Sequence, residues 1–329
     1  MEVKKQGLLA FAGRPFSFDR KRGRKMSRKY SHVIVIGVDG AGSWFKDADT
    51  PSFDKIFENG ALTYRTLSSK PTISAECWGS MLIGVGPEVH KLTNNRVSVL
   101  PYNIWSKNPT VFRRIRKAYP EAELGSYCDW NPINKGIVEK GLGVNKQTAK
   151  DKELTPLICD YIREKKPDFL FVHFDSVDGA GHGNGYGTEN HIRAIGEVDK
   201  LIGDVYSAVE SAGISDDTLF MVIADHGGTN GADGKGTHGG WTDEEKYVTF
   251  AAAGKGIVSG EIKEMNIRDL AAIVLYAFDI DMPAFNEKGW TSQIPAGLFD
   301  GYDGEYRDIS HLTGAAPRIS KEHHKSELV

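Results

Sequence analysis

Three short apolar runs in this 329-residue chain each end on an acid inside a glycine-rich turn. Asp39 follows VIVIGV in VDGAG, Asp175 and Asp178 follow FLFVHF in DSVDGAGH, and Asp225 follows LFMVIA in ADHGG. A lone acid after a strand is usually a turn residue or a helix cap. Three together, two of them near histidines, point to a shared site, because gathered carboxylates repel unless a cation compensates them. Asp178 and His182 have the spacing of one helical turn presenting two ligands, Asp225 and His226 form a strand-end pair, and His238 follows in GTHGG. These six side chains suit two divalent ions, with mixed nitrogen and oxygen ligation favouring zinc, manganese or iron over calcium. Asp175 is read as a turn residue, or as a partner that orients a ligand histidine.

The nucleophile candidate lies in residues 71–84, PTISAECWGSMLIG. Ala75, Trp78, Met81 and Leu82 fall at helical steps, which predicts a helix beginning near Ser74. A hydroxyl there faces the free N–H groups and the positive end of the helix dipole, a natural seat for a phosphoryl group. A plain N-cap role is the alternative for Ser74, and Thr72 is the competing nucleophile. Residues 85–108, with Asn94, Asn95, Tyr102 and Trp105, are read as a small lid over the site. Asn95 and Tyr102 are its candidate substrate contacts, against the alternative that Tyr102 and Trp105 only cover the sheet.

The elements that position these residues follow from patterning. His32–Val38, residues 168–174, residues 219–224 and Tyr247–Ala253 read as buried strands. Helices are expected from Thr50-Pro51 to Gly60, over 110–119, 152–166 and 188–212, and over 267–278. Such alternation implies an α/β fold with a mostly parallel central sheet and helices on both faces.

The motifs VIVIGVDG, PTISAECWGSMLIGVGPEVH, DSVDGAGH, ADHGG and THGG, in this order over residues 33–240, resemble the alkaline phosphatase superfamily. The likeness is greatest to its type I phosphodiesterase/nucleotide pyrophosphatase branch, and residues 265–280 look like that family's late helix. The resemblance implies an alkaline-phosphatase-like fold with Ser74 at the nucleophile position. It implies one metal held by Asp39, Asp225, His226 and Ser74, and a second by Asp178, His182 and His238, usually zinc and in some branches manganese. It further implies a phosphoserine intermediate and, as substrate, a small phosphate diester or nucleotide pyrophosphate. One departure concerns the Asn commonly carried three residues after the nucleophile, which helps hold a phosphoryl oxygen. This chain has Cys77 there, a poorer donor, so the phosphate is expected to lean on the metals, the Cys77 thiol and backbone N–H groups instead. The alternatives are a phosphomonoesterase of the same superfamily and a non-catalytic phosphate-ligand-binding protein on this fold. A sulfatase is disfavoured, because the C/S-x-P-x-R pattern is missing around Ser74.

Composition narrows the remaining classes. The formal net charge is -3, and 40% of residues are hydrophobic, enough to fill a core. Residues 1–30 hold ten Lys/Arg and two acids, so any nucleic-acid binding would rest on that tail alone. Cys77, Cys128 and Cys159 form no disulfide framework, which fits a reducing, cytoplasmic compartment, and no apolar run approaches transmembrane length. The expected organisation is a basic tail over 1–30, one catalytic domain over 31–300 and a polar tail over 301–329. Met26 is an alternative start.

Overall fold

The apolar runs that end on Asp39, Asp175 and Asp225 are adjacent parallel strands in register. The computed structural model describes residues 27–309. Its strands in chain order are β1 (His32–Val38), β2 (Ala61–Leu67), β3 (Leu124–Cys128), β4 (Val144–Gln147), β5 (Phe169–Phe174), β6 (Thr218–Ala224), β7 (Thr229–Asn230), β8 (Gly236–Thr237), β9 (Tyr247–Ala253) and β10 (Gly260–Glu261). Eight of them form one sheet in the order β10-β2-β9-β6-β1-β5-β3-β4, and β7 pairs with β8 separately. Only β9 runs against its neighbours in the large sheet. Val38 at the end of β1 is level with Phe174 of β5 and Ala224 of β6. The next residue of each strand is therefore an aspartate, and the three emerge side by side at the carboxyl edge of the sheet, where open α/β folds bind ligands.

Ten helices accompany the strands among the described residues: α1 (Pro51–Phe57), α2 (Ser74–Ile83), α3 (Pro87–His90), α4 (Asn94–Val99), α5 (Val111–Ala118), α6 (Asp151–Lys165), α7 (Ser176–Asn184), α8 (Glu189–Ser211), α9 (Asp243–Lys246) and α10 (Asp269–Ala277). α2, α5 and α10 pack together in one layer, and α1, α6 and α8 in the other. The helix-start signals were sound, but one cap is not local. Thr50 gives no side-chain cap to α1; the Asp199 carboxylate of α8 accepts the N–H groups of Ser52 (3.0 Å) and Phe53 (2.7 Å) instead. The four expected strands are present, while β2, β3, β4 and β10 were not foreseen. Polar residues interrupt β2 (ALTYRTL), and β3 (LGSYC) has no β-branched residue, so both draw their identity from their neighbours in the sheet.

The fold begins before residue 31 and extends past residue 301. Tyr30 is buried, Lys29 N donates to Ala277 O at 2.9 Å, and the Arg28 guanidinium lies over the Tyr119 ring. At the other end Tyr306 Oη donates to Asp269 Oδ2 at 2.7 Å. The rest of both expected tails, and Met26, lie outside the described residues. Among the described residues no helix is long and apolar enough to cross a membrane.

Candidate active site

Ser74 is the first residue of α2, as the periodicity predicted, and α2 lies buried against the sheet. The close approach is possible because β1 carries glycine beneath it: a Cβ at Gly37 would sit 2.4 Å from Trp78 Cη2. With that space open, the indole of Trp78 lies over β1 and its Nε1 donates to Asp39 Oδ2 at 2.9 Å. Gly40 has φ of +67°, and a Cβ there would meet Asp178 Oδ1 at 2.5 Å. The turn after β1 thus requires glycine twice over, for its left-handed backbone and for its contact with α7.

α7 presents Asp178 and His182 one turn apart, as their spacing implied. Its N-terminus is capped by Asp151, whose carboxylate accepts the N–H groups of Asp175 and Ser176, each at 3.0 Å. Asp175 caps nothing with its own side chain; burial and the Asp39 charge push its carboxyl up to about 7.

The seven residues form two adjoining recesses. In the first, His226 Nε2 lies 3.3 Å from Ser74 Oγ, 3.4 Å from Asp39 Oδ1 and 3.3 Å from Asp225 Oδ2. In the second, His182 Nε2 lies 3.2 Å from His238 Nε2 and 3.3 Å from Asp178 Oδ2, and His238 Nε2 lies 4.0 Å from Asp178 Oδ1. The His226 and His238 rings stack between the recesses with centroids 4.0 Å apart.

The donor set is that of a cation site. His182, His226 and His238 each turn Nδ1 to a backbone carbonyl, of Gly236 (3.1 Å), Gly227 (3.0 Å) and Thr72 (2.7 Å). A carbonyl only accepts, so Nδ1 carries the hydrogen and each Nε2 presents a lone pair to the recesses. Burial, with a smaller contribution from the stacked His238 ring, lowers His226 to about 4, which keeps it in the neutral form that a ligand requires. Asp39 Oδ1 and Asp225 Oδ2 are buried without a hydrogen-bond partner. Burial and the Asp39 charge push the Asp225 carboxyl well up, as expected of an uncompensated acid. Burial has the same sense at Asp178, but His182 and the neighbouring imidazoles outweigh it when they carry a second proton and then hold that carboxyl well below its usual range, the sense in which a bound cation would also act. Lone pairs converging on two points, with unsatisfied buried carboxylate oxygens among them, fit two divalent cations.

Thr72, the competing nucleophile, is otherwise engaged: its Oγ1 donates to Gly240 O (3.2 Å) and accepts from Gly239 N (3.0 Å). The expected substrate contacts are not where the sequence put them. Cys77 is fully buried, its thiol 3.3 Å from Ser68 Oγ and against the carbonyls of Ser69 and Pro71, so it faces the core and not a ligand. Tyr102 is a loop staple, with Oη bonded to Ser106 Oγ and Asn108 O. Asn95 is exposed, and it is Asn94 whose Oδ1 accepts Ala75 N at 3.0 Å beside Ser74.

Sequence reasoning missed three supporting side chains. His173 is fully buried on β5 and donates from Nε2 to Asp39 Oδ2 at 2.9 Å, the oxygen that Trp78 also binds. Two donors on Oδ2 leave Oδ1 to the recess. Tyr186 Oη donates likewise to Asp178 Oδ1. A histidine in the otherwise apolar FLFVHF run was the available signal for His173. His173→Phe and Trp78→Phe are each expected to lower affinity for Zn or Mn by about 10- to 100-fold while the fold is retained. Titration calorimetry alongside circular dichroism measures this.

Known proteins share this sequence pattern and this fold. The profile of the type I phosphodiesterase/nucleotide pyrophosphatase family matches residues 33–120 and 98–277, and the chain belongs to that family. Curated relatives include GPI ethanolamine phosphate transferase 2 of Aspergillus fumigatus, 23% identical over 71% of this chain and 30% of that protein. Human ectonucleotide pyrophosphatase/phosphodiesterase family member 7 is 21% identical over 60% of this chain and 48% of that protein. The chain thus spans less than half the length of either relative. Among solved structures, an inactive form of murine ectonucleotide pyrophosphatase/phosphodiesterase 5 in complex with AMP has a TM-score of 0.67 at 14% identity, covering 77% of this chain and 96% of that one. A 2-O GAG sulfatase has a TM-score of 0.61 at 16% identity, covering 80% and 73%. These likenesses show the shared fold.

Proposed function

We propose that the chain hydrolyses phosphate diesters or nucleotide pyrophosphates, depends on two divalent cations, zinc or manganese, and uses Ser74 as its nucleophile. The observation that carries this reading is the Ser74 hydroxyl at the start of α2, 3.3 Å from His226 Nε2 and beside the unpartnered oxygens of Asp39 and Asp225. When bound, the cations supply the positive charge that favours the ionised hydroxyl and steadies the phosphoryl oxygens. Asp39, Asp225, His226 and Ser74 hold one, and Asp178, His182 and His238 the other. Ser74 Oγ forms the new bond to phosphorus as the leaving oxygen departs in line, giving a seryl phosphodiester that keeps the other ester group, and water then cleaves the Ser74 Oγ–P bond, which releases the monoester and restores the hydroxyl. The first N–H groups of α2 favour the anionic phosphoryl group. Asn94 Nδ2, which has no partner among the described residues, offers a donor to a phosphoryl oxygen.

An assay with bis-p-nitrophenyl phosphate, p-nitrophenyl phosphate and p-nitrophenyl sulfate in the presence of Zn or Mn tests the reading. The diester is expected to turn over fastest, and a chelator to abolish activity. Faster monoester turnover would replace this reading with that of a phosphomonoesterase. Activity unaffected by chelation would contradict both.

A further inference from the structure

The segment joining α4 to α5 carries an apolar tip that catalysis does not use. Val99, Leu100 and Trp105 are 66%, 53% and 77% exposed, and they are three of the six strongly exposed large apolar side chains among the described residues. Single exposed apolar groups are ordinary, whereas three within seven residues call for an explanation. Trp105 is held outward by a fixed turn. Its N–H donates to Asn103 Oδ1 at 2.9 Å, and Ser106 N donates to Asn103 O at 2.8 Å. Tyr102 Oη closes the loop on Ser106 Oγ and Asn108 O, and Arg113 donates to Ser106 O from α5.

The charge along this segment is one-sided. From Lys91 to Pro120 the chain carries seven Lys/Arg and no Asp/Glu, in a protein whose formal net charge is -3. Arg113 is paired with Glu139 at 3.4 Å, and Arg116 donates to the carbonyls of Leu142 and Pro120, so these two serve the fold. Lys91, Arg96 and Lys107 are exposed and form no ion pair among the described residues.

We propose that this tip docks on an anionic lipid bilayer, with Trp105, Leu100 and Val99 entering the headgroup boundary and Lys91, Arg96 and Lys107 facing the anionic headgroups. An indole favours that boundary, where its ring meets acyl chain and its N–H stays wet, and unpaired cations beside it are drawn to anionic lipid. Three apolar side chains on a narrow loop are too few for a stable protein interface, which needs about 800 Å² from each partner. α4 carries Asn94 at the nucleophile end and Val99 at the tip end, about 8 Å away at the helical rise. Docking would therefore bring lipid headgroups close to the candidate active site.

Co-sedimentation of the full chain with vesicles of phosphatidylcholine, alone or with about one third phosphatidylserine, tests this without catalysis. Its failure would thus leave the hydrolase reading standing, and inactivity in the ester assay would leave this surface standing. Binding is expected only to the anionic vesicles, weakening as salt rises. Trp105→Ser, and separately Arg96→Glu with Lys107→Glu, are each expected to weaken it about tenfold or more with circular dichroism unchanged. A blue shift of tryptophan emission on vesicle addition is expected in the wild type and absent in Trp105→Phe. Three outcomes would overturn the proposal: no vesicle binding, equal binding to neutral and anionic vesicles, or binding unchanged in both variants. Self-association that is lost in Trp105→Ser, with no vesicle binding, would assign the tip to a second copy of the chain instead.

Discussion

Ser74→Ala protein is expected to lose diesterase activity by about 10³-fold or more while still taking up divalent cations. Alanine removes the hydroxyl that lies 3.3 Å from His226 Nε2 in the first recess. The neighbouring Thr72 hydroxyl is tied to Gly240 O and Gly239 N, so it offers no substitute. Asp39, Asp225 and His226 remain, and with them three of the four ligands proposed for the first cation. Loss of activity with retained metal therefore marks a nucleophile, because the N-cap position of α2 is Ile73 and no side chain caps that helix, which leaves Ser74 without the capping role the sequence also allowed. Ser74→Thr keeps the hydroxyl and is expected to retain a measurable share of the activity. Steady-state rates with metal content measured on the same samples decide the matter.

Asp225→Asn is expected to change stability in opposite directions with and without metal. In the cation-free protein the Asp225 carboxylate is fully buried and Oδ2 has no partner. Asparagine keeps an Oδ1 acceptor for the N–H groups of Gly40 (3.0 Å) and His226 (2.8 Å) but removes the cost of burying an acid that must either stay charged or take up a proton on folding. The chelated variant is therefore expected to melt above the chelated wild type, by the equivalent of about 1–3 kcal/mol. With metal the order reverses. The wild type gains about 4 kcal/mol at a thousandfold excess over the dissociation constant, whereas the variant gains far less. Thermal melts in chelator and in excess Zn or Mn measure both. A variant that melts lower in chelator and still responds fully to metal would show that Asp225 is not a ligand.

The gathering of these acids and histidines was legible because its geometry is local. An acid directly after a buried strand must emerge at the sheet edge, and the level ends of β1, β5 and β6 made Asp39 and Asp225 neighbours. Asp178 and His182 needed only one helical turn between them. The substrate contacts failed for the opposite reason. Asn94 and Asn95 differ by one step on α4, about 100° of rotation, and only the packing of α4 against α2 decides which approaches Ser74. Cys77 follows Ser74 by three residues on a helix with a buried first turn, and nothing in the local pattern tells a ligand-facing position from a core-facing one. The role of His173 depends on its register opposite Gly37 of β1 and on Trp78 crossing above that glycine. Both are long-range facts, and no spacing within β5 encodes them.

Because the account rests on a covalent bond at one atom, its most direct test is to catch that bond. Metal-loaded protein turning over bis-p-nitrophenyl phosphate is quenched in acid, digested and examined by peptide mass spectrometry. A phosphoryl ester adduct on Ser74 is expected in the peptide that contains residues 71–84, absent from Ser74→Ala and from chelated protein. Sustained turnover with no adduct at any quench time, or an adduct on Thr72 and not Ser74, would contradict it.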